Sequence, residues 1–245
     1  MEQETVLNVH DLSVTIDNNK ILNDLNFFVK KGDVLAIVGP NGAGKSVLFR
    51  TLLGLFPYSG SIVWGQGLKT NYIPQKFYID KDLPLTVREF LEFKNNNLDV
   101  IVRSLVSVGI SDDSHGGHVE HYVREHLLQH RLALLSGGQL QRVLIAWSVI
   151  DNPDILLFDE PTSGIDVGGE ETIYNLIEKL RVERNMTVLL ISHDLNIVYR
   201  YANNVICLNK KMICFGQPNL VLDPTALSQL YGGTVGFYKH EHSHE

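Results

Sequence analysis

One short segment carries residue types that could bind phosphate. Residues 39–46 match the pattern G-x-x-x-x-G-K-[ST] in full and read Gly39, Pro40, Asn41, Gly42, Ala43, Gly44, Lys45 and Ser46. Glycines here let successive backbone N–H groups turn inward around phosphate oxygens, which a Cβ atom would obstruct. Lys45 can reach the β- and γ-phosphates of a nucleotide, and Ser46 can offer its hydroxyl to Mg²⁺.

The surroundings of this segment favour a nucleotide-binding loop over a chance glycine turn. The wholly apolar run Val34–Val38 is typical of a strand buried on both faces. After the loop, Leu48, Leu52 and Leu55 follow a helical spacing. A helix starting there would add the positive end of its dipole to the phosphate site.

A pair of carboxylates follows a second apolar run, Ile155–Phe158. Asp159 would stand at the carboxyl end of a buried strand, the edge at which ligands bind in such sheets. There it can hold Mg²⁺ through the water shell of the ion, and Glu160 can orient or deprotonate an attacking water. The alternative is that both residues merely end the strand and begin a turn.

A second phosphate-binding pattern lies at residues 135–142, LSGGQLQR. Ser136, Gly137, Gly138 and Gln139 come immediately before or at the start of a helix that continues as LQRVLIAWSVI. One nucleotide already has its loop at residues 39–46. The second helix start therefore makes sense if it serves the nucleotide of another subunit.

Taken in order, these motifs resemble those of the ATP-binding cassette (ABC) ATPases along nearly the whole chain. The matching positions are residues 39–46 (Walker A), Gln75 (Q-loop), 135–139 (signature), Asp159 and Glu160 (Walker B), 163–166 with Asp166 (D-loop) and His193 (switch histidine). The resemblance implies ATP and Mg²⁺ as cofactors. It also implies two copies packed head to tail, with each ATP between one Walker A loop and the opposite signature motif.

The resemblance assigns a role to each matched position. Glu160, His193 and Lys45 would be catalytic, with His193 contacting the γ-phosphate. Ser46, Gln75 and Asp159 would hold Mg²⁺, and the nucleotide would contact residues 39–47, Gln75, Ser136–Gln139, Asp166 and His193.

Two positions depart from the family pattern. Ile16 occupies the place of an aromatic residue that stacks on adenine, so either base affinity is lower or another side chain stacks. Val47 replaces a threonine, which removes one hydroxyl contact to the α-phosphate. Neither change affects the hydrolytic residues, so we expect activity.

The pattern of elements predicts an α/β fold, a P-loop ABC cassette with a parallel-sheet core. Strands near the N-terminus would form an antiparallel part, and a helical subdomain at about 84–135 would be inserted. We expect one ATPase domain over residues 1–235 and a His-rich tail over 236–245. Residues 204–216 read as a hairpin that would place Cys207 opposite Cys214. Two cysteines suit a reducing compartment, and we expect both to pack in a core.

Composition limits the classes of function. The chain has 245 residues and a net charge of −7, which argues against broad nucleic-acid affinity. It shows neither a signal peptide nor an apolar run near the roughly 18 residues of a membrane span, so a partner would supply any spanning part. A chromosome-organising ABC protein would need a long coiled coil, and no heptad run is present. A ribosome-acting ABC factor normally carries two cassettes.

Within the family, residues 72–91, 205–218 and 235–245 resemble the zinc-uptake ATPases of Gram-negative bacteria. This implies a homodimer on the cytoplasmic side of a bacterial inner membrane. Its partners would be integral-membrane permease subunits and, indirectly, a periplasmic metal-binding protein, with no nucleic acid. Manganese, iron or a metal chelate is the alternative cargo, because the permease and its external binding protein choose what is carried.

Histidines are concentrated in two segments. They are His115, His118, His121, His126 and His130 in the first, and His240, His242 and His244 in the tail. Imidazole and carboxylate together suit Zn²⁺. If residues 118–130 form one helix, His126 and His130 share a face, as do His118 and His121. The alternative is a solvated helix and a frayed tail that bind no metal.

Overall fold

The computed structural model describes residues 4–110, 119–160 and 167–232. The strands, in chain order, are β1 (Thr5–Ile16), β2 (Asn19–Lys30), β3 (Val34–Val38), β4 (Ser59–Trp64), β5 (Thr70–Ile73), β6 (Ile155–Asp159), β7 (Thr187–Ile191), β8 (Asn204–Asn209) and β9 (Lys211–Gly216). The helices are α1 (Lys45–Leu52), α2 (Val87–Glu92), α3 (Leu98–Ser107), α4 (Val119–Glu125), α5 (Gly137–Val149), α6 (Val167–Arg184), α7 (Leu195–Tyr201), α8 (Pro218–Val221) and α9 (Pro224–Tyr231).

The chain forms two compact units. The first comprises Gly65–Leu190 with Met1–Glu4 and Lys30–Gly32, and the second comprises Thr5–Val29, Asp33–Trp64 and Ile191–Glu245. Within the described residues, no helix is long and apolar enough to cross a membrane.

The second unit contains the antiparallel part predicted from the N-terminal alternation. Its strands lie in the order β2-β1-β4, and β1 pairs antiparallel with β4. Alternate residues of β2 from Leu25 to Val29 are buried, as expected of a strand with one face on a core. Beside this sheet in the same unit, β3 pairs parallel with β8. All five residues of β3 are buried, which confirms the prediction from its apolar run.

The hairpin of β8 and β9 forms as predicted, with one correction. Cys207 pairs with Cys214 across the antiparallel ladder, and Lys210, in a left-handed conformation at φ 58°, makes the turn. The two cysteines are joined by a disulfide and are not the separate core thiols that the sequence suggested. Their Cα atoms lie 4.8 Å apart, within the range that a disulfide bridges.

In the first unit, β5 pairs parallel with β6, and β7 is the other neighbour of β6. Every residue of β6 and of β7 is buried. The predicted apolar face of α6 is also buried, at Ile173, Leu176, Ile177 and Leu180. These elements confirm the α/β class and a core built on parallel strands.

The helical segment of the first unit is closed at its base by main-chain hydrogen bonds. Leu132 N–H donates to Leu85 O at 2.9 Å, and Val87 N–H donates to His130 O at 2.9 Å. The predicted capping box at the start of α2 is present, because Thr86 and Glu89 each bond the backbone N–H of the other. An inserted lobe needs ends that lie side by side in this way.

Two expectations about helix length are wrong. The helix α4 ends at Glu125, and Leu127–Gln129 form a separate 3₁₀ turn that buries both Leu127 and Leu128. His126 and His130 therefore share no helical face; His118 lies outside the described residues. Similarly, α1 ends at Leu52, so Leu55 is 65% exposed and is not part of its apolar face.

A polar cluster under α2 joins three elements of the first unit. Lys94 Nζ donates to Asn71 Oδ1 of β5 at 2.7 Å and lies 4.0 Å from the centre of the Trp147 ring of α5. Asn71 Nδ2 in turn donates to Ser148 O and to Asp151 Oδ1. Burial lowers the pKa of Lys94, while the Asp151 carboxylate at 3.6 Å acts in the opposite direction. The cluster fixes the end of α2 to the strand that leads to Gln75.

Candidate nucleotide site

The loop at residues 39–46 is shaped by glycines that no other residue could replace without strain. Gly39 has φ 155°, and a Cβ atom there would lie 2.0 Å from the carbonyl oxygen of Leu208 in β8. Gly44 has φ 98° and precedes the first residue of α1. Backbone packed this closely leaves room for N–H groups but none for side chains, as a phosphate cradle requires.

Lys45 is the first residue of α1 and is only 7% exposed. Its ammonium donates to Gly39 O at 2.8 Å and to Pro40 O at 3.1 Å. A buried ammonium needs such acceptors because desolvation of an unpaired charge is costly. The loop therefore wraps its own lysine, whose charge is held where the motif expects phosphate oxygens.

The second unit also contains the predicted positions His193, Ser46, Val47 and Ile16. Ser192 N–H donates to Ile37 O at 3.3 Å, two residues before Gly39, so the exposed His193 follows directly from a contact with β3. Ser46 and Val47 are half-buried in the first turn of α1. Ile16, the position at which an adenine-stacking residue was expected, is half-buried at the end of β1.

The first unit brings together the two Walker B carboxylates and the Q-loop residue. Asp159 is 2% exposed at the carboxyl end of β6, and its Oδ2 accepts a hydrogen bond from Tyr72 Oη at 3.2 Å. Glu160 has φ 46°, and its carboxylate accepts a hydrogen bond from the Gln75 side-chain amide. Glu160 therefore follows the strand in a left-handed conformation, with its carboxylate bonded to Gln75.

The signature segment starts α5 with a capping box. Ser136 Oγ accepts from Gln139 N–H at 3.3 Å, and Gln139 Oε1 accepts from Ser136 N–H at 3.1 Å. Ser136 and Gly137 are exposed. Because the Ser136 oxygen is only an acceptor in this arrangement, its hydroxyl hydrogen can still be donated to a ligand.

Three groups that contact residues of the candidate site were not predicted from the sequence. Tyr72 touches Asp159, Leu208 O lies behind Gly39, and Lys210 N–H donates to Ala43 O in the loop at 3.0 Å. The Tyr72 contact depends on the register of β5 against β6, which pairs Tyr72 with Leu157. The other two use backbone groups, which leave no residue-type signal. Asp166 lies outside the described residues.

The histidine segments gain no support as a metal site from the part of the chain that the structure describes. Among those residues there is no group of three or more His, Cys, Asp or Glu side chains that could hold a metal ion. His115, His118 and the tail histidines fall outside the described ranges.

Comparison with known proteins decides the family. The family model described as ABC transporter matches residues 22–163. The chain belongs to this family.

Curated relatives extend along nearly the whole chain. The zinc import ATP-binding protein of Yersinia enterocolitica is 38% identical over 98% of this chain and 92% of its own length. That of Haemophilus ducreyi is 36% identical over 98% of this chain and 88% of its own.

Solved structures share the fold. One is an inward-facing ABC transporter described as of the metal-chelate type, with a TM-score of 0.78, 27% identity and coverage of 93% of this chain and 89% of that one. The cbiO1 protein of Clostridium perfringens, part of the ABC transporter complex cbiONQ, gives a TM-score of 0.72 at 27% identity, covering 89% of this chain and 90% of that chain.

Substitution of Gly39 tests whether the close approach of β8 shapes the loop. Gly39→Ala would place Cβ against the Leu208 carbonyl, so we expect a loss of about 3 kcal/mol in the free energy of unfolding and no detectable ATP binding. Urea unfolding and nucleotide titration measure the two effects.

Gly42→Ala is the matched control. Gly42 also has a positive φ, 78°, but nothing lies within 4 Å of the added Cβ, so only backbone strain of about 1 kcal/mol is expected. Equal losses in both variants would contradict the account of the close approach.

Proposed function

We propose that this chain is the ATP-hydrolysing subunit of an importer and that the cargo is zinc. The observation that carries the proposal is similarity over 98% of the chain to proteins named zinc import ATP-binding proteins. It is supported by a loop whose buried lysine and close-packed glycines suit the phosphates of a nucleotide.

Lys45 and Ser46 bind the phosphates of the nucleotide and the Mg²⁺ that accompanies them. When phosphate oxygens enter the loop, the Lys45 ammonium exchanges its bonds with Gly39 O and Pro40 O for bonds to the β- and γ-oxygens. The residues that would hold Mg²⁺ are Ser46, Gln75 and Asp159, whose donors are all oxygens, the ligand type that Mg²⁺ prefers. Mg²⁺ bound there supplies positive charge that neutralises developing charge on the phosphates.

Glu160 positions and deprotonates the attacking water, and Gln75 orients Glu160. The amide of Gln75 donates to one oxygen of the Glu160 carboxylate, and the remaining acceptor sites of the carboxylate can receive a proton from water. His193 donates to the γ-phosphate and stabilises charge as the phosphoryl group is transferred.

Two copies of the chain complete each site. Ser136 and Gly137 at the start of α5 are exposed and present a hydroxyl and backbone N–H groups outward. A helix N-terminus with this composition suits the γ-phosphate of the partner's nucleotide. Asp166 is proposed to contact the nucleotide as well. The chain is thus a homodimer whose closure is driven by two Mg·ATP.

The permease docks on the helical lobe. A groove of about 520 Å³ is lined by Leu83, Pro84, Leu85, Glu89, Glu92, Phe93 and Asn96. Phe93 is 79% exposed and Leu83 48% exposed, with acidic side chains beside them. This surface suits a cytoplasmic segment of the permease that is apolar in its centre.

The polar cluster at Lys94 links this groove to the chemistry. Lys94 follows α2 and the groove residue Phe93, and it holds Asn71 in β5, four residues before Gln75. A displacement of α2 by the permease would therefore act on the strand that positions the Q-loop. Helix α2 and all of the groove residues except Leu83 belong to residues 84–135, the proposed inserted lobe. We propose that this lobe is part of an ATPase domain over residues 1–235, which is followed by a tail over 236–245.

Import of a metal chelate is the second candidate, favoured by the fold neighbour described as a metal-chelate type transporter. The permease and a periplasmic binding protein would select between these cargoes. Both candidates place the chain peripherally on the cytoplasmic side of a bacterial inner membrane. Zn²⁺ binding by the tail histidines is a separate proposal, supported only by residue type.

Glu160→Gln tests the proposed base. The amide cannot accept a proton, so we expect ATP turnover to fall at least about 100-fold while ATP affinity stays within about twofold. Phosphate release and equilibrium nucleotide binding measure the two quantities. Glu183→Gln, which changes an exposed carboxylate on α6, is the control and should leave both unchanged. Turnover near that of the wild type would refute Glu160 as the base.

Reconstituted transport tests the cargo. The chain, its permease and the binding protein are placed in proteoliposomes, and metal uptake is measured with Zn²⁺, Mn²⁺, Fe²⁺ or a ferric chelate outside. We expect ATP-dependent uptake of Zn²⁺ and stimulation of ATPase activity by the zinc-loaded binding protein. Uptake of another metal or of the chelate without uptake of Zn²⁺ would contradict the proposal while leaving the ATPase role intact.

A further inference from the structure

We infer that Cys207 and Cys214 form a thiol–disulfide exchange site that determines how firmly the nucleotide loop is held. The inference rests on the nucleotide-binding role proposed above for residues 39–46. The two cysteines are the only ones in the chain, and they pair directly across β8 and β9. In the structure they are joined by a disulfide.

The hairpin that the disulfide links holds the nucleotide loop from behind. At its tip, Lys210 N–H donates to Ala43 O at 3.0 Å, and Lys210 O accepts from Asn23 N–H of β2 at 2.8 Å. Next to Cys207, the carbonyl of Leu208 packs against Gly39 so closely that a Cβ would lie 2.0 Å away. Cys207 itself pairs with Val38, the last residue of β3 before the loop.

Cys207 thus directly precedes Leu208, which packs against Gly39, and lies three residues before the Lys210 tip. The ladder between β8 and β9 shifts register between Cys207 and Leu208, so regular pairing is interrupted where the loop is supported. A covalent link at this position compensates for the interruption by restricting the freedom of the tip. Breaking it leaves the tip restrained only by hydrogen bonds and by packing of the hairpin on Leu222, Leu227 and Leu230.

The two cysteines differ in burial, which gives the exchange a direction. Cys207 is a fully buried residue, whereas Cys214 is a half-buried residue on β9, the outer strand of its sheet, and packs against the same core cluster. In the proposed exchange a reductant attacks Cys214, the less buried residue, and Cys207 is the leaving group. This asymmetry is typical of a site at which one sulfur is attacked from outside.

A cellular dithiol is the class of reductant that fits. One of its thiolates attacks Cys214 Sγ, forming a mixed disulfide and releasing Cys207 as a thiolate, which takes up a proton. The second thiol of the reductant loses its proton and attacks its own sulfur in the mixed disulfide, releasing Cys214 as a thiolate that is then protonated. Two electrons and two protons pass to the protein, and the dithiol leaves as a disulfide.

The proposed location makes the pair a reversible link. Disulfides in the cytoplasm are usually transient and redox-sensing, because thiol systems there reduce accessible bonds. In the oxidised chain the tip is restrained and the loop is ordered before nucleotide arrives. In the reduced chain more of the ordering must occur on binding, which lowers affinity. Nucleotide affinity therefore follows the redox state of the pair.

The test compares ATP affinity of the full-length chain in two redox states. One sample is oxidised with the disulfide form of a dithiol reagent, and the other is reduced with dithiothreitol. Each sample is then titrated with Mg·ATP. Alkylation followed by mass measurement counts free thiols, with none expected in the first and two in the second. We expect affinity to fall about fivefold on reduction, the loss that one weakened hydrogen bond produces.

Cys214→Ser supplies a matched variant that cannot form the bond. It should bind ATP as the reduced wild type does and should show no response to oxidant or reductant. The wild-type comparison needs no variant and stands even if this one folds poorly. Equal affinity in the two wild-type states, or two free thiols after oxidation, would overturn the inference. ATP binding in neither state would instead refute the nucleotide-loop assignment on which it rests.

Discussion

The structure of the nucleotide loop depends on a buried positive charge. Lys45 places an ammonium in a site that is 7% exposed, and two carbonyls of the loop itself provide its acceptors. Such a charge is tolerated only when it is hydrogen-bonded, so the path of the chain from Gly39 to Lys45 is fixed by the need to surround it. The same arrangement leaves the charge prepared for phosphate oxygens, which can replace the carbonyls without moving the helix that carries the lysine.

The two carboxylates of the site, Asp159 and Glu160, are positioned by hydrogen bonds from a neighbouring strand and the segment that follows it. Asp159 and Glu160 follow a fully buried strand, and each accepts a hydrogen bond from a residue in or just after β5, Tyr72 or Gln75. Because Lys94 of the helical lobe is hydrogen-bonded to Asn71 in the same strand, both the carboxylates and the helical lobe are attached to β5. An importer needs this property, since binding of a permease on the lobe must affect hydrolysis some distance away. The structure supplies a short, packed route within one unit.

Much of this could be predicted from the sequence because the signals are local. The apolar runs of β3, β6 and β7, the glycine spacing of the loop and the capping boxes at Thr86 and Ser136 are each patterns that can be recognised within a few consecutive residues. Other features depend on register or on backbone groups. The Tyr72 contact and the support of Ala43 by Lys210 are of this kind, because neither follows from residue type alone.

The errors have physical causes. The sequence pattern extended a helix to His130, whereas the turn at Leu127–Gln129 allows two adjacent leucines to be buried together. The predicted pairing of Cys207 with Cys214 was confirmed, yet their spacing could not tell whether the sulfurs were bonded. Composition suggested a reducing environment, and the bond observed between them is what makes their chemistry of interest.

The central claim is that each ATP is enclosed by the loop of one copy and the signature segment of the other, and mixing two inactive variants tests it most directly. Lys45→Ala removes the ammonium group of the nucleotide loop, and Ser136→Arg places a bulky side chain in the signature segment. Each homodimer should therefore lack ATPase activity. In an equal mixture, half of the dimers contain both variants, and each of these has one intact composite site. We predict recovery of about one quarter of wild-type ATPase activity. A mixture that remains inactive, although its subunits demonstrably exchange, would contradict the account.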